Sequence, residues 1–463
     1  MKNVIFIVTD DQRYDALHAA GNRDIITPNL DRLAKSGTMF THAHIPCGTS
    51  AAVCMPSRAM LNTGRILFSI EGEGENIPPA HKTIAESFKD AGYDTYGTGK
   101  WHNGPAGFSR GFLGGDNIFF GGMWDHWNVP VCRYDPTGEY DNVINFTANF
   151  YNDNTVTKIH CDKFNPGIHS TELLTDTAIN YLMGHSADKP FYLYLAYLAP
   201  HDPRTMPDKF KKLYNPEKIS LPSNYMECHP FPFGVENIRD ETLTAQPRVE
   251  TEIRKHLVEY YAMVTHLDFE IGRILDTLKN NRLLEDTIII VTGDNGLAVG
   301  SHGLMGKQNL YDHSVRVPLI FSGPDIPKGK KIDNFVYLLD IYPTICELCG
   351  LTIPESVEGR SFAAMFKDPS FITRDTLYFA FNDLIRGVKD YRYKLIEYRN
   401  HVTAWQLFDL IDDPAEIRNL AADTAYAETL KRMREILWQQ RMEWKDTEHP
   451  FSKRYWESYN KLR

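Results

Sequence analysis

The chain has no long apolar run. Nothing in its 463 residues approaches the roughly 18 apolar residues of a membrane-spanning helix. It has no excess of basic charge either. Fifty Lys and Arg stand against 60 Asp and Glu, a net charge of −10. That balance argues against nucleic acid or an anionic membrane as the main partner, and against a long basic groove. A small pocket with a few local cations stays compatible with it. There is no compact cysteine framework. The seven cysteines, at 47, 54, 132, 161, 228, 346 and 349, are scattered, which excludes a small disulfide-stapled scaffold. Cys346 and Cys349 form a C-x-x-C inside the helix-like stretch YLLDIYPTICELCG. With no second ligand pair nearby they read as buried helix cysteines rather than a zinc site. Internal repeats and low-complexity tracts are missing. The start, MKNVIFIVTDD, falls short of the roughly 7–15-residue apolar core of a secretory leader. The expectation is either a cytoplasmic protein or a mature chain given without its leader.

What is present is ordinary globular material, 42% hydrophobic and 24% charged. The length suits one large domain plus a smaller one. Residues 3–8 (NVIFIV) are β-branched and apolar, as in a buried parallel strand. Thr27-Pro28 opens a helix that Leu30, Leu33 and Ala34 stripe and Gly37 ends. Thr83 caps a second helix, and Gly92 stops it. Strands are predicted at 94–97, 190–199 and 287–292, and a long amphipathic helix at 251–282. Helices alternating with buried strands indicate an α/β fold with a large, mostly parallel sheet. After about residue 370 the pattern changes to short alternating strands (376–381, 392–398, 405–409) and a helix near 425–443. The predicted division is a catalytic domain over 1–370 and a subdomain over 371–463, a small antiparallel sheet with a helix.

Four predicted strands run into polar residues: Asp10 and Asp11, Lys100 and His102, His201 and Asp202, Asp294 and Asn295. Open α/β sheets bind ligands beyond the carboxyl ends of their strands. Asp and Asn are also ordinary turn residues there, but four strands sharing the feature favour a site. Asp10, Asp11, Asp294 and Asn295 offer only oxygen, which suits Ca²⁺ or Mg²⁺ rather than zinc. Such a cation would hold and polarise an anionic substrate group. Lys100, His102, His201 and Lys307 would bring cations and proton donors to the same place.

Residues 53–65 read VCMPSRAMLNTGR. Pro56 fits a first helical turn, with Cys54 just ahead of it. A thiol at a helix N-terminus beside Arg58 is expected to have a lowered pKa. One reading is a thiolate hydrolase with His102 or His201 as base. Another is a buried structural cysteine, which leaves the C-x-P-S-R spacing unexplained.

The stretch Cys54-Met55-Pro56-Ser57-Arg58, continued by Ala59-Met60-Leu61-Asn62-Thr63-Gly64-Arg65, resembles the type I sulfatase signature C-x-P-S-R-x-x-L-x-T-G-R. Further blocks match that family in order: TDDQR, GTGKWH, APHDP, GDNG with GSHGLMGKQNLYDHSVRVPLI, and DLIDDPAEIRNL. The resemblance covers essentially the whole chain. It implies an alkaline-phosphatase-like sandwich and sulfate-ester hydrolysis. It also implies that Cys54 is oxidised by a formylglycine-generating enzyme to an aldehyde. One hydroxyl of the hydrated aldehyde attacks sulfur, and the other then expels sulfate. By the same resemblance, Asp10, Asp11, Asp294 and Asn295 bind Ca²⁺ (or Mg²⁺), and Arg58 and Lys100 hold the aldehyde hydrate. His102 takes the proton that collapses the hemiacetal, His201 protonates the leaving alcohol, and Lys307 contacts sulfate. His302 supports the lysine segment or is structural.

The region GGMWDHW differs from relatives that place a further polar residue there. Asp125 and His126 are its candidates, with loop packing as the alternative. For the substrate, Arg204 in HDPRTMP could fork onto a uronate carboxylate or form a surface ion pair. Arg386, Tyr398 and His401 lie where the second subdomain would border the pocket, and Trp101, Trp127 and Trp405 could stack on sugars or sit in the core. The expected activity is a carbohydrate exo-sulfatase, with a glycosaminoglycan uronate 2-O-sulfate as one substrate. Export to the periplasm or outside the cell is expected on that reading. The rivals are a phosphonate monoester or phosphodiester hydrolase of the same superfamily, a non-catalytic glycan-binding relative with unmodified Cys54, and the thiol hydrolase.

Overall fold

The computed structural model describes residues 1–147, 151, 155–186 and 188–460. Its central strands are β1 (Asn3–Thr9), β2 (Gly37–Phe40), β3 (Cys47–Gly48), β4 (Asp94–Lys100), β5 (Gly114–Phe119), β6 (Phe191–Ala196) and β7 (Thr287–Gly293). They are followed by β8 (Leu319–Ser322), β9 (Lys330–Ile332), β10 (Leu377–Phe381), β11 (Ile385–Lys389), β12 (Tyr393–Tyr398) and β13 (Ala404–Asp409). The large sheet has the order β9-β2-β8-β7-β1-β6-β4-β5. Its centre is parallel: β1 pairs β6 and β7, and β4 pairs β6 and β5, all in the same direction. Only β8 runs against its neighbours.

Burial on both faces explains the apolar runs. Val4, Phe6 and Val8 of β1 feed one core, and Ile5 and Ile7 feed the other. The second core is closed by α1 (Pro28–Ser36), α4 (Ser170–Gly184) and α5 (Glu250–Asn280). The first is closed by α2 (Cys54–Thr63), α3 (Ile84–Asp90) and α6 (Ile341–Cys349), and it continues under the second sheet to α7 (Ala427–Glu443) and α8 (Pro450–Asn460). Thr83 caps α3 as expected, in a full capping box with Glu86. Cys346 is buried and Cys349 half-buried, both free thiols of α6.

The second sheet, in the order β13-β12-β11-β10-β3, is antiparallel except that β10 takes Cys47–Gly48 as a parallel edge partner. Three differences from the sequence reading are informative. β11 and α8 were not anticipated. β3 belongs to the far C-terminal sheet, which a two-residue strand does not announce. β4 runs past the expected end at residue 97 through Thr98-Gly99-Lys100. Gly99 has φ +91° and a side chain there would meet the Ala196 carbonyl at 1.9 Å, so glycine is needed for β4 to lie against β6 and deliver Lys100.

Candidate active site

The four strands expected to end at a site lie side by side as β7-β1-β6-β4. Asp294 and Asn295 follow β7, Asp10 and Asp11 follow β1, His201 lies beyond β6, and Lys100 ends β4 with His102 just after it. Asp11 and His102 adopt left-handed backbone, with φ of 65° and 69°, which turns both side chains back over the sheet end. Tyr260 of α5 fixes the first turn: its hydroxyl donates to the Asp11 carbonyl at 2.7 Å and accepts from Arg13 N–H at 2.9 Å.

Cys54 begins α2, 2% exposed. Its Sγ is 3.5 Å from Lys100 Nζ and 3.5 Å from His102 Nδ1. Three buried ion pairs surround it. Lys100 Nζ lies 2.5 Å from Asp10 Oδ2, Lys307 Nζ 2.6 Å from Asp11 Oδ1, and Arg58 Nε 2.8 Å from Asp294 Oδ2. Arg58 also donates to the Lys100 carbonyl at 2.7 Å, locking α2 to the end of β4. Asn295 Nδ2 donates to Asp11 Oδ1 at 2.7 Å. His201 donates through Nδ1 to the Asp202 carbonyl at 2.8 Å and points Nε2 at Asp11 Oδ2, 3.6 Å away.

These contacts leave acceptors over. Asp10 Oδ1, Asp11 Oδ2 and Asn295 Oδ1 are buried without a hydrogen-bond partner. Buried unsatisfied oxygens are costly and call for an explanation. Ligand atoms of Asp10, Cys54 and Asp294, and of Asp10, Asp11 and His201, lie within 4.8 Å of one another. Carboxylate and amide oxygens fit a hard cation, and one placed here would sit against residue 54.

The electrostatics set protonation states. Burial would raise Asp10, but Lys100, His201 and Arg58 hold it below the usual carboxylate range. Burial would lower Lys307, but Asp11, Cys54 and Asp240 push it well above the usual lysine range. Burial, with Lys100, Arg58 and Lys307, drives His102 well below the ordinary histidine value, so it is a neutral imidazole able to accept a proton. The expected lowering of the Cys54 thiol is not found. Burial raises it, against the pull of Lys100 and Lys307. A helix start alone does not activate a thiol that is cut off from water.

Several proposed substrate contacts are corrected. Arg386 is fully buried in the second sheet, paired with Asp446 at 2.6 Å; it is a structural ion pair. His126 is buried with both ring nitrogens engaged, by Ser170 Oγ at 2.7 Å and the His201 carbonyl at 2.9 Å, so it positions His201. Asp125 is exposed and accepts from Trp127 N–H within its own turn. Arg204 donates to His256 Nδ1 at 2.6 Å, and its Nε and Nη2 are closed off without partners. His302 stacks on Tyr311 and reaches the Glu416 carbonyl, a structural place. Trp101 is core, buried among Phe108, Phe112 and Tyr194. A cavity of about 660 Å³ lined by Arg13, Tyr261 and Arg316 touches none of the strand-end residues, so cavity size does not locate the site.

The structure adds residues that spacing could not. Arg239 is 43% exposed at its side chain, paired with Asp202 and beside Asp240, which puts a solvent-facing guanidinium next to His201. Glu241 accepts from Met305 and Gly306 N–H and pairs with Arg248, holding the segment that carries Lys307. Both lie in a short turn, Arg239–Leu243, outside any recognisable motif.

The family model for sulfatases matches residues 2–351, and that for the N-sulphoglucosamine sulphohydrolase C-terminal region matches 300–443. A sulfatase of Formosa agariphila is 31% identical over 94% of this chain and 86% of its own length. An N-acetylglucosamine-6-O-sulfatase of Bacteroides thetaiotaomicron is 24% identical over 96% and 87%. A protein solved in complex with its substrate D-glucosamine-2-N,6-O-disulfate has the same fold, with a TM-score of 0.75 at 22% identity over 96% of this chain and 99% of the other. The chain belongs to the sulfatase family and is a sulfuric ester hydrolase.

Proposed function

We propose that the protein removes sulfate from the end of a sulfated saccharide, with residue 54 as nucleophile after conversion of its thiol to formylglycine. The observation that carries the reading is the placement of Cys54 Sγ 3.5 Å from both Lys100 Nζ and His102 Nδ1, against three buried oxygens without partners. Asp10, Asp11, Asp294 and Asn295 would hold Ca²⁺, which supplies a fixed positive charge for the sulfate oxygens. The hydrated aldehyde would supply a hydroxyl nucleophile toward sulfur and a second hydroxyl whose deprotonation would release sulfate.

This chain's own residues do the rest. Lys100 and Lys307 flank residue 54 with fixed positive charge where negative charge develops on the transferring group. Neutral His102 accepts the proton that leaves the second hydroxyl. His201, held by its Nδ1 bond to the Asp202 carbonyl and by His126 behind it, presents Nε2 to the leaving oxygen as general acid. Arg58 pairs with Asp294, opposing the burial that raises its carboxyl, and ties α2 to Lys100. The relative named as an N-acetylglucosamine-6-O-sulfatase supports a saccharide substrate. Support for a uronate 2-O-sulfate in particular is reduced, because the two unpaired nitrogens of Arg204 are closed from solvent. Export remains our expectation for a glycan-degrading enzyme.

The test is a substrate panel on protein co-produced with a formylglycine-generating enzyme. Release of sulfate from sulfated hexosamines and uronates, with aryl phosphonate turned over far more slowly, supports the reading. Preferred phosphonate turnover moves the activity to the phosphonate hydrolases of the same superfamily, and an unmodified Cys54 with no turnover favours the glycan-binding alternative.

A further inference from the structure

A second group of metal-ligating side chains lies outside the site described above. Glu172 stands in the first turn of α4, and His266 and Glu270 occupy successive turns of one face of α5. One ligand atom from each lies within 4.8 Å of the other two. His266 Nε2 is 3.6 Å from Glu172 Oε1 and 3.9 Å from Glu270 Oε1. Two donors bonded to one tetrahedral ion at about 2.0–2.1 Å stand about 3.3 Å apart, close to the two separations of the imidazole from the carboxylates.

The imidazole supplies the independent observation. His266 is 1% exposed, and neither of its ring nitrogens has a hydrogen-bond partner. A buried histidine ordinarily uses at least one nitrogen. Here one is aimed between two carboxylates at separations too long for hydrogen bonds and suited to a shared ion.

Charge points the same way. Arg273 bonds Glu270 Oε2 and Asp176 Oδ1, both at 2.6 Å. Three carboxylates against that one guanidinium leave two negative charges, which a divalent cation balances. The other nearby cation, Lys209, lies over the Phe210 and Phe269 rings at 4.9 Å rather than on the carboxylates. Glu172 is 34% exposed at its side chain and gives the ion a way in.

We infer that Glu172, His266 and Glu270 form a structural site for a borderline divalent cation of the zinc class, clipping α4 to α5. One imidazole with two carboxylates is the donor set such ions accept. The clip would brace the loop that carries His201. The His266 ring packs on His169, which stacks on His126 with centroids 5.1 Å apart. His169 bonds the Thr205 carbonyl and His126 the His201 carbonyl.

The experiment uses the full chain, first saturated with Ca²⁺ so that the strand-end oxygens are occupied, and then titrated with Zn²⁺ by calorimetry and by thermal unfolding. The expected result is one Zn²⁺ per chain with a rise in Tm. Affinity should fall about tenfold or more in Glu172→Gln and in His266→Phe, with the Zn²⁺-dependent rise in Tm gone in both. Equal Zn²⁺ binding by wild type and both variants, or no binding by wild type, overturns the site. If His266→Phe does not fold, Glu172→Gln at the more exposed end decides alone. No readout depends on hydrolysis, so the result stands apart from the sulfatase reading.

Discussion

Two buried charge clusters in this molecule are built from the same chemistry and do different things. At the ends of β1, β4 and β7, three carboxylates face Lys100, Lys307 and Arg58. Near the second sheet, Asp312 receives Lys389 at 2.7 Å and Lys394 at 2.9 Å, one on each oxygen, while Lys394 also meets Glu416 at 2.7 Å. In the Asp312 cluster both carboxylate oxygens are used, and the lysines of β11 and β12 tie the second sheet to the catalytic part. In the strand-end cluster each of Asp10 and Asp11 gives one oxygen to a lysine and keeps the other unpaired. Buried charge alone therefore does not mark a site. Unpaired acceptors beside a nucleophile do.

The comparison can be broken most forcefully at Cys54. Cys54→Ala should lower sulfate release about 10³-fold or more and leave the melting temperature almost unchanged. Next come the carboxylates. Asp10→Asn should abolish both turnover and the rise in Tm that added Ca²⁺ gives, a rise worth about 2.7 kcal/mol at a hundred times Kd. Asp312→Asn should do the reverse, keeping the Ca²⁺ effect while losing about 3–5 kcal/mol of stability, because buried Lys389 is left without a carboxylate and Lys394 keeps only Glu416. Denaturant titrations with and without Ca²⁺ separate the two outcomes. If Asp312→Asn also loses the Ca²⁺ response, the division between the clusters fails.

His201→Ala sharpens the catalytic side. Its cost should be about 10²–10⁴-fold with a sugar sulfate and much smaller with an aryl sulfate, whose leaving group needs no proton. Equal losses on both substrates would remove the general-acid role.

The most gradual effect lies in pH. Burial holds His44 and His302 to about 3, against about 6.5 unfolded. The folded values are depressed, so below pH 6.5 the unfolded chain binds more protons. Stability is therefore full above about pH 6.5 and falls as the pH drops, by about 1.4 kcal/mol per unit for each histidine. Substituting Phe for His302 should flatten that slope in a pH series of melting curves.

Much of this was legible from residues alone because apolar runs and strand-end polar residues are local signals. Asp10, Asp11, Lys100, His102, His201, Asp294 and Asn295 follow buried strands whose order in the sheet brings them together. What was not legible depends on long-range packing. Arg386 reads as a cation free to meet substrate, but Asp446, 60 residues on, claims it. Cys47–Gly48 carries no strand signal in the sequence and becomes an edge of a sheet more than 300 residues away. The direction of the Cys54 shift is not legible in sequence, where the helix start is visible and the depth of burial is not. Arg239 and Glu241 carry no motif and are found only where the chain returns to the site.

The most direct test of the central claim is the mass of the peptide spanning Cys54, from protein made with a formylglycine-generating partner. The account predicts a loss of about 18 Da, the change from thiol to aldehyde at the nucleophile. An unmodified thiol in protein that nonetheless releases sulfate would contradict it.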